Sequence, residues 1–250
     1  MRSKAGTTKQ RLLIALCFFQ HVFAESSTLE IAEYSATYRA KYNGLDITAM
    51  HKLESIQDRY HESSEAKSVL GKISESSQFR LSNNGKLKSE YYSYQRSLMG
   101  VTRTETQHFD WLNNKVEYKK NGKLTTTPLK NHALDMVTHK LQIRRDLKAG
   151  LKIFSYLVMS RGQIKEYVYE AFGNEVLKTS LGPLKTTKVR RVVNSNKKRD
   201  TVIWMADDWE FLIVKLVHSE KGERHQLDIT KGQVGGKTIV PFANILETSL

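Results

Sequence analysis

Apolar and polar residues alternate along most of this chain with a period of two, the spacing of a strand rather than a helix. Tyr34, Ala36, Tyr38, Ala40 and Tyr42 interleave with Ser35, Thr37, Arg39 and Lys41, which predicts a strand with one apolar face. Asn43-Gly44 follows, a dipeptide suited to the positive φ values of a type I′ turn. A two-residue loop there pairs Tyr42 with Leu45, Ala40 with Ile47 and Tyr38 with Ala49 on one face, and sets Lys41 opposite Asp46 on the other. Such cross-strand pairs are worth about 0.2–1 kcal/mol each, so register and chemistry agree.

The same grammar recurs. Residues 66–82 and 86–98 flank Asn83-Asn84-Gly85, and residues 101–112 and 115–120 meet at Asn113-Asn114, which would set Trp111 against Val116 and Phe109 against Tyr118. Residues 151–160 and 164–172 form a hairpin around Arg161-Gly162, and residues 184–193 and 200–206 are joined by the polar run Asn194 to Lys198. A last hairpin turning at Lys221-Gly222 pairs Leu216 with Leu227, Val214 with Ile229, and Lys215 with Asp228.

One segment departs from this pattern. Asp135 is placed to cap a helix from Met136 to about Lys148, with Gly150 as its stop. Val137 and Leu141 lie on one side of it, Met136, Ile143 and Leu147 nearly opposite, giving two apolar stripes. One stripe packs on the sheet and the other is left for a loop, a barrel mouth or a partner, although a shorter helix with an irregular end fits the pattern equally well. The expected fold is mainly β: about ten antiparallel strands in a strongly curved meander or open β-barrel, with one helix filling or lidding it. Such a sheet must close or cover its edges.

Composition changes the picture at the N-terminus. Residues 1–24 read as a cleaved secretory signal peptide, with Arg2, Lys4, Lys9 and Arg11 before an apolar run from Leu12 and a small residue at Ala24. The run is short for a membrane span and is broken by Gln20 and His21, although a retained anchor is the alternative. Leu16 before Cys17 argues against a lipoprotein signal. Removing four bases and no acid lowers the formal charge from +14 to +10, and it also removes the chain's only cysteine. The mature chain, residues 25–250, is thus expected to be one periplasmic, disulfide-free β-rich domain with no transmembrane segment.

Several residues together carry a family resemblance. Tyr42-Asn43-Gly44, Phe109-Asp110-Trp111, the run Leu134 to Thr138 with Arg144 downstream, and Trp204-Met205-Ala206-Asp207 leading to Val214 resemble the bacterial family catalogued as domain of unknown function 3108. Ile213 stands where that family often has proline, and Thr138 where it usually has serine. The resemblance implies a Gram-negative periplasmic protein with a curved β-sheet, and no established activity or site.

Motifs for catalysis are missing: no nucleophile elbow, phosphate loop, dinucleotide fingerprint or His-Glu-x-x-His occurs. The expectation is a non-enzyme without a cofactor. His218 and His225 face each other across the last hairpin as a weak candidate metal pair, with a solvated hairpin end as the plainer reading. Asp207 and Asp208 read as a turn between Trp204 and Trp209. From Val176 to Arg199 there is no acid, while Lys185, Lys188, Arg190, Arg191, Lys197, Lys198 and Arg199 form a basic strip suited to anions. Export makes nucleic acid an improbable partner and lipid, lipopolysaccharide or another anionic envelope component the nearer one.

These observations favour a non-catalytic periplasmic binding module for an apolar or amphiphilic envelope component. Its wall would draw on Tyr34, Tyr38, Tyr42, Phe109, Trp111 and Trp204, with Val137 and Leu141 as a helical lid. The alternative is an assembly protein that docks a protein or peptidoglycan through a sheet edge or the basic strip. An apolar hollow of several hundred Å³ would favour the first, a filled core the second.

Overall fold

Strands β1 (Tyr34–Tyr42) and β2 (Leu45–Ile56) pair in the register the alternation predicts, from Tyr42 with Leu45 to Tyr34 with Leu53. The computed structural model describes residues 30–42, 45–82, 84–192, 199–220 and 222–242. The leader and the turns at Asn43-Gly44, Asn83 and Lys221 lie outside the described residues, as does the loop carrying Lys197 and Lys198.

From β2 the chain meanders through β3 (Arg59–Ser68), β4 (Gly71–Leu81), β5 (Leu87–Leu98), β6 (Val101–Asp110), β7 (Lys115–Lys120) and β8 (Lys123–Pro128). Helix α1 (Thr138–Lys148) intervenes. A second meander then runs through β9 (Ile153–Ser160), β10 (Gln163–Thr179), β11 (Gly182–Val192), β12 (Arg199–Ala206), β13 (Leu212–Glu220) and β14 (Glu223–Val234). Pairing of β14 with β1 joins the meanders into one antiparallel sheet of fifteen strands, in which short β15 (Lys237–Thr238) pairs with β14.

The sheet has fifteen strands where about ten are expected, in part because two reversals lack the usual turn signal and a third leads into a strand with little alternation. Residues 57–58 turn with Gln57 in the left-handed region (φ 58°), and the chain also reverses at Val69-Leu70, inside the run expected as one strand. Neither pair carries the usual Asn-Gly chemistry. Asn121-Gly122 turns into β8, whose Thr-rich sequence has little apolar alternation. A second correction concerns register. Asp110 accepts hydrogen bonds from the backbone N–H of Asn113 (3.0 Å) and from its side-chain amide (2.7 Å). The loop therefore spans Trp111–Asn114, and Phe109 pairs with Val116, Gln107 with Tyr118.

Side chains and one crossing segment close the curl between edge strands β8 and β9. Leu134 forms an isolated parallel bridge to Val158; it donates to the Leu157 carbonyl and accepts from the Met159 N–H, both at 2.8 Å. Phe109, Val116, Tyr118, Ala133 and Met159 pack into a small second core at this seam. The Thr127 hydroxyl donates to the Gly162 carbonyl (2.9 Å).

Helix α1 fills the curl. It begins at Thr138, two residues later than expected, because Asp135 organises the preceding turn: one carboxylate oxygen accepts the N–H groups of Val137 (2.7 Å) and Thr138 (2.9 Å), the other the Ser77 hydroxyl (2.7 Å). Both apolar stripes are buried, with Val137 and Leu141 at 3 % and 2 % exposure and Ile143 and Leu147 at 0 % and 5 %. The sheet surrounds the helix, so neither stripe is left for a partner. Leu141, Ile143 and Leu147 share the main core with Tyr34, Tyr38 and Leu53 on one meander and Leu184, Met205 and Ile229 on the other.

Candidate binding surfaces and the buried polar cluster

Where α1 meets the inner face of β1–β4, the core turns polar. Glu62 and Arg144 are only 8 % and 6 % exposed. The Tyr34 hydroxyl donates to Glu62 Oε1 (2.6 Å), and the Arg144 guanidinium lies 4.7 Å from the Tyr34 ring centre. Arg144 Nε donates to the Glu210 carbonyl (2.9 Å), while its Nη1 and Glu62 Oε2 are buried without hydrogen-bond partners among the described residues. Both residues line a hollow of about 50 Å³ with Tyr34, Tyr38, His51 and Lys140, closed by leucines from α1, β13 and β14. That volume suits a water or two, not an acyl chain.

Burial dominates the acid–base behaviour here. Desolvation pushes the Glu62 carboxyl up to about 7, with the Tyr34 hydrogen bond and the Lys140 and Arg144 charges opposing it. Burial, assisted by Lys140, holds His51 down to about 3. His139, packed between Tyr167 and Tyr169 and 3.1 Å from the Tyr169 hydroxyl, is also held near 3.

A larger hollow lies on the opposite side of the same strands. A groove of about 720 Å³ crosses β14, β1, β2, β3, β4 and β5, and the β10–β11 turn adds Leu181 and β15 adds Thr238 to its walls. Register explains its floor. Ser63, Ser76 and Ser93 stand directly opposite one another on β3, β4 and β5, and Ser35 with Lys52 continues the row. Thr37, Met50, Glu65 and Ser74 form the next outward row. Short side chains on neighbouring strands leave the floor low. The hydroxyls of Ser35, Thr37, Ser63, Ser74, Ser76 and Ser93 make no side-chain hydrogen bond among the described residues, so they face the groove with donors and acceptors available.

The residues expected to wall one hollow are separated. Tyr34, Tyr38 and Leu141 reach the small buried pocket, and the Tyr38 hydroxyl donates to the Ile213 carbonyl (2.8 Å). Val137 is core at the helix start, and Phe109 belongs to the seam cluster. Trp111 packs on that cluster and donates to the Ser89 carbonyl (2.7 Å). Trp204 lies beside Lys215, 5.3 Å from its ring, and donates to Glu175 (2.6 Å) on the outer face. The Tyr42 side chain lies outside the described set.

Two residues of the basic strip are matched by acidic neighbours. Arg190 pairs with Glu170 (2.6 Å) and Lys188 with Glu175 (3.0 Å), and both flank the Phe172 ring. Arg191 covers the Tyr167 ring at 3.5 Å and Lys185 lies 5.4 Å from Phe242. Lys197, Lys198 and the Arg199 side chain lie outside the described residues. His218 and His225 do face each other in register, each 3.5 Å from a glutamate, Glu220 and Glu223 respectively.

Sequence reasoning missed Glu62, His51, Lys140 and the groove. Without the reversal at residues 57–58, the inward parity of Glu62 on β3 could not be assigned. The usable signal for the groove was serine recurrence at positions 63, 74, 76 and 93, which reads as a floor only once strand register is known.

A curled antiparallel sheet wrapped around one buried helix defines the protein as β-barrel-like. The chain belongs to the family described as "Protein of unknown function (DUF3108)", whose model matches residues 37–224. Among solved structures it is similar to a β-barrel-like protein of domain of unknown function DUF1849 from Brucella abortus: TM-score 0.57, 9 % identity, with 82 % of this chain and 98 % of that one covered. At that identity the likeness concerns the fold alone. A putative outer membrane lipoprotein-sorting protein domain from Vibrio parahaemolyticus matches at TM-score 0.23 and 6 % identity, over 87 % of this chain and 90 % of that one. The comparison with curated proteins returned no match. Among the described residues no helix is long and apolar enough to cross a membrane.

Proposed function

We propose that this chain is an exported, non-catalytic binding module of the cell envelope whose ligand lies in the outer groove across β14 and β1–β5. The observation that carries the reading is the groove itself: about 720 Å³, within the size range of ligand sites, floored by hydroxyls that have no side-chain partners among the described residues. The interior supports the reading less well, because the hollow beside α1 and its polar cluster is only about 50 Å³ among the described residues. A hydroxyl floor bordered by Lys52 and Lys231 suits a saccharide portion of an envelope polymer or glycolipid, since each serine both donates and accepts.

Titration calorimetry with soluble peptidoglycan fragments and with lipopolysaccharide core oligosaccharide tests this. Ser76→Trp, at the centre of the serine row, should weaken binding by roughly tenfold or more by filling the floor, without changing the fold. Absence of binding to every saccharide, or equal binding by the filled variant, refutes the assignment.

A further inference from the structure

Two neighbouring hairpin tips at one end of the barrel carry the wrong chemistry for solvent. The β3–β4 tip exposes Val69 by 88 % and Leu70 by 38 %, and the β5–β6 tip exposes Met99 by 82 % and Val101 by 60 %. The tips touch, since the Met99 N–H donates to the Leu70 carbonyl (3.0 Å). Tight hairpin turns ordinarily take Asn, Asp and Gly, as the β7–β8 turn does with Asn121-Gly122. Met99 instead holds a long apolar side chain in the left-handed region (φ 49°), a conformation that disfavours it, and points it at water. Scattered single exposures are ordinary; four aliphatic residues on two adjoining tips are a patch.

The surroundings bear on what could cover such a patch. Lys67 and Lys72 face each other at the base of the first tip, sharing Glu65. At the base of the second, Arg96 and Arg103 stand directly opposite in register, and neither has an ion pair among the described residues. Like charges opposed across strands destabilise a sheet unless an anion comes between them. Apolar tips above a basic collar match the layering of an anionic bilayer, with acyl chains below phosphates.

We propose that this end of the barrel docks on an anionic lipid surface, inserting Val69, Leu70 and Met99 between head groups while Lys67, Lys72, Arg96 and Arg103 meet phosphate. Docking here is independent of what occupies the groove, and it orients the molecule with its strands steeply inclined to the membrane.

The test uses the full chain with Cys17→Ser, so that one introduced cysteine carries an environment-sensitive fluorophore. A label on Met99→Cys should shift to the blue on vesicles of phosphatidylcholine with about 30 % phosphatidylglycerol, shift far less on phosphatidylcholine alone, and reverse in about 0.5 M salt. A label on Asp208→Cys, in the turn after β12 at the other end of the strands, should stay water-like throughout and thereby controls for membrane contact by the leader. Val69→Asp with Leu70→Asp should lower vesicle partition of the Met99-labelled protein about tenfold or more. The proposal is overturned if the label at position 99 stays water-like on anionic vesicles, or if the double aspartate variant partitions unchanged. A blue shift that grows with protein concentration without vesicles also overturns it, because a second copy then covers the patch.

Discussion

Replacing Glu62 with glutamine should make the protein more stable at alkaline pH while leaving it almost unchanged at acid pH. The folded state holds the Glu62 proton up to about pH 7, whereas an unfolded chain releases it near its ordinary value of 4.5. Between those values the folded state binds one more proton than the unfolded state, so stability falls as pH rises through this window and levels off above it. The rise from 4.5 to about 7, at about 1.4 kcal/mol per pH unit, corresponds to about 3–4 kcal/mol, an upper figure because relaxation and water entry reduce it. Glutamine keeps an acceptor for the Tyr34 hydroxyl and never ionises. Urea unfolding followed by tryptophan fluorescence at about pH 5 and about pH 8.5 reads the effect: near equality at the first, a gain of about 2–3 kcal/mol at the second, or about 4–12 °C in Tm for a domain of this size. Equal destabilisation at both pH values would refute the reasoning. It would mean that Glu62 is ionised when folded and held by Arg144 and Lys140, so that Coulomb attraction outweighs desolvation.

Two further outcomes follow from buried groups. Asp135→Ala should cost about 2–5 kcal/mol in urea unfolding, because Ser77 and the N–H groups of Val137 and Thr138 lose their acceptors inside the core; Asp135→Asn, which keeps one acceptor oxygen, should lose less than half of that. His51 and His139 stay neutral in the fold down to about pH 3, so below about pH 6.5 only the unfolded chain takes up those protons and stability is lost as pH falls. His139→Gln should therefore flatten the acid limb of the stability profile by about 1.4 kcal/mol per pH unit, and an unaltered slope would assign that limb to other groups.

The hairpins legible in the sequence are those whose turns announce themselves. Asn43-Gly44 implied the register from Tyr42–Leu45 to Tyr38–Ala49, and the pairing of Lys215 with Asp228 followed from Lys221-Gly222 in the same way. Val69-Leu70 reverses the chain with residues that also populate strands, and Gln57-Asp58 lacks the Asn-Gly pair that marks a tight hairpin, so neither turn separates from the run it interrupts. The 109–118 register failed on one interaction, the Asp110 grip on Asn113, which enlarges the loop by two residues. The helix was legible, and so was its place in or over an open barrel, but the strands that enclose it were not. Two apolar stripes state that both faces are covered, and only the closing pair β1–β14 says that one sheet covers both. The groove was hidden for a related reason: its serines come from four strands, and a polar row looks like any solvated face until strand register brings it together.

The pairing of β1 with β14 also governs when the fold can exist. Tyr34 pairs with Val234, so the first strand finds its second neighbour only after nearly the whole chain is present. Each meander can assemble from local hairpins, but the curl that encloses α1 cannot form until both are complete. Contacts of such sequence separation slow folding, and until they form β1 presents an unpaired edge that invites association. A chain emerging N-terminus first thus passes through a stage in which its best-specified hairpin is also its most adhesive surface. A holding factor that shields β1 during that interval, or rapid delivery of the C-terminal strands, becomes part of how this protein reaches its native state.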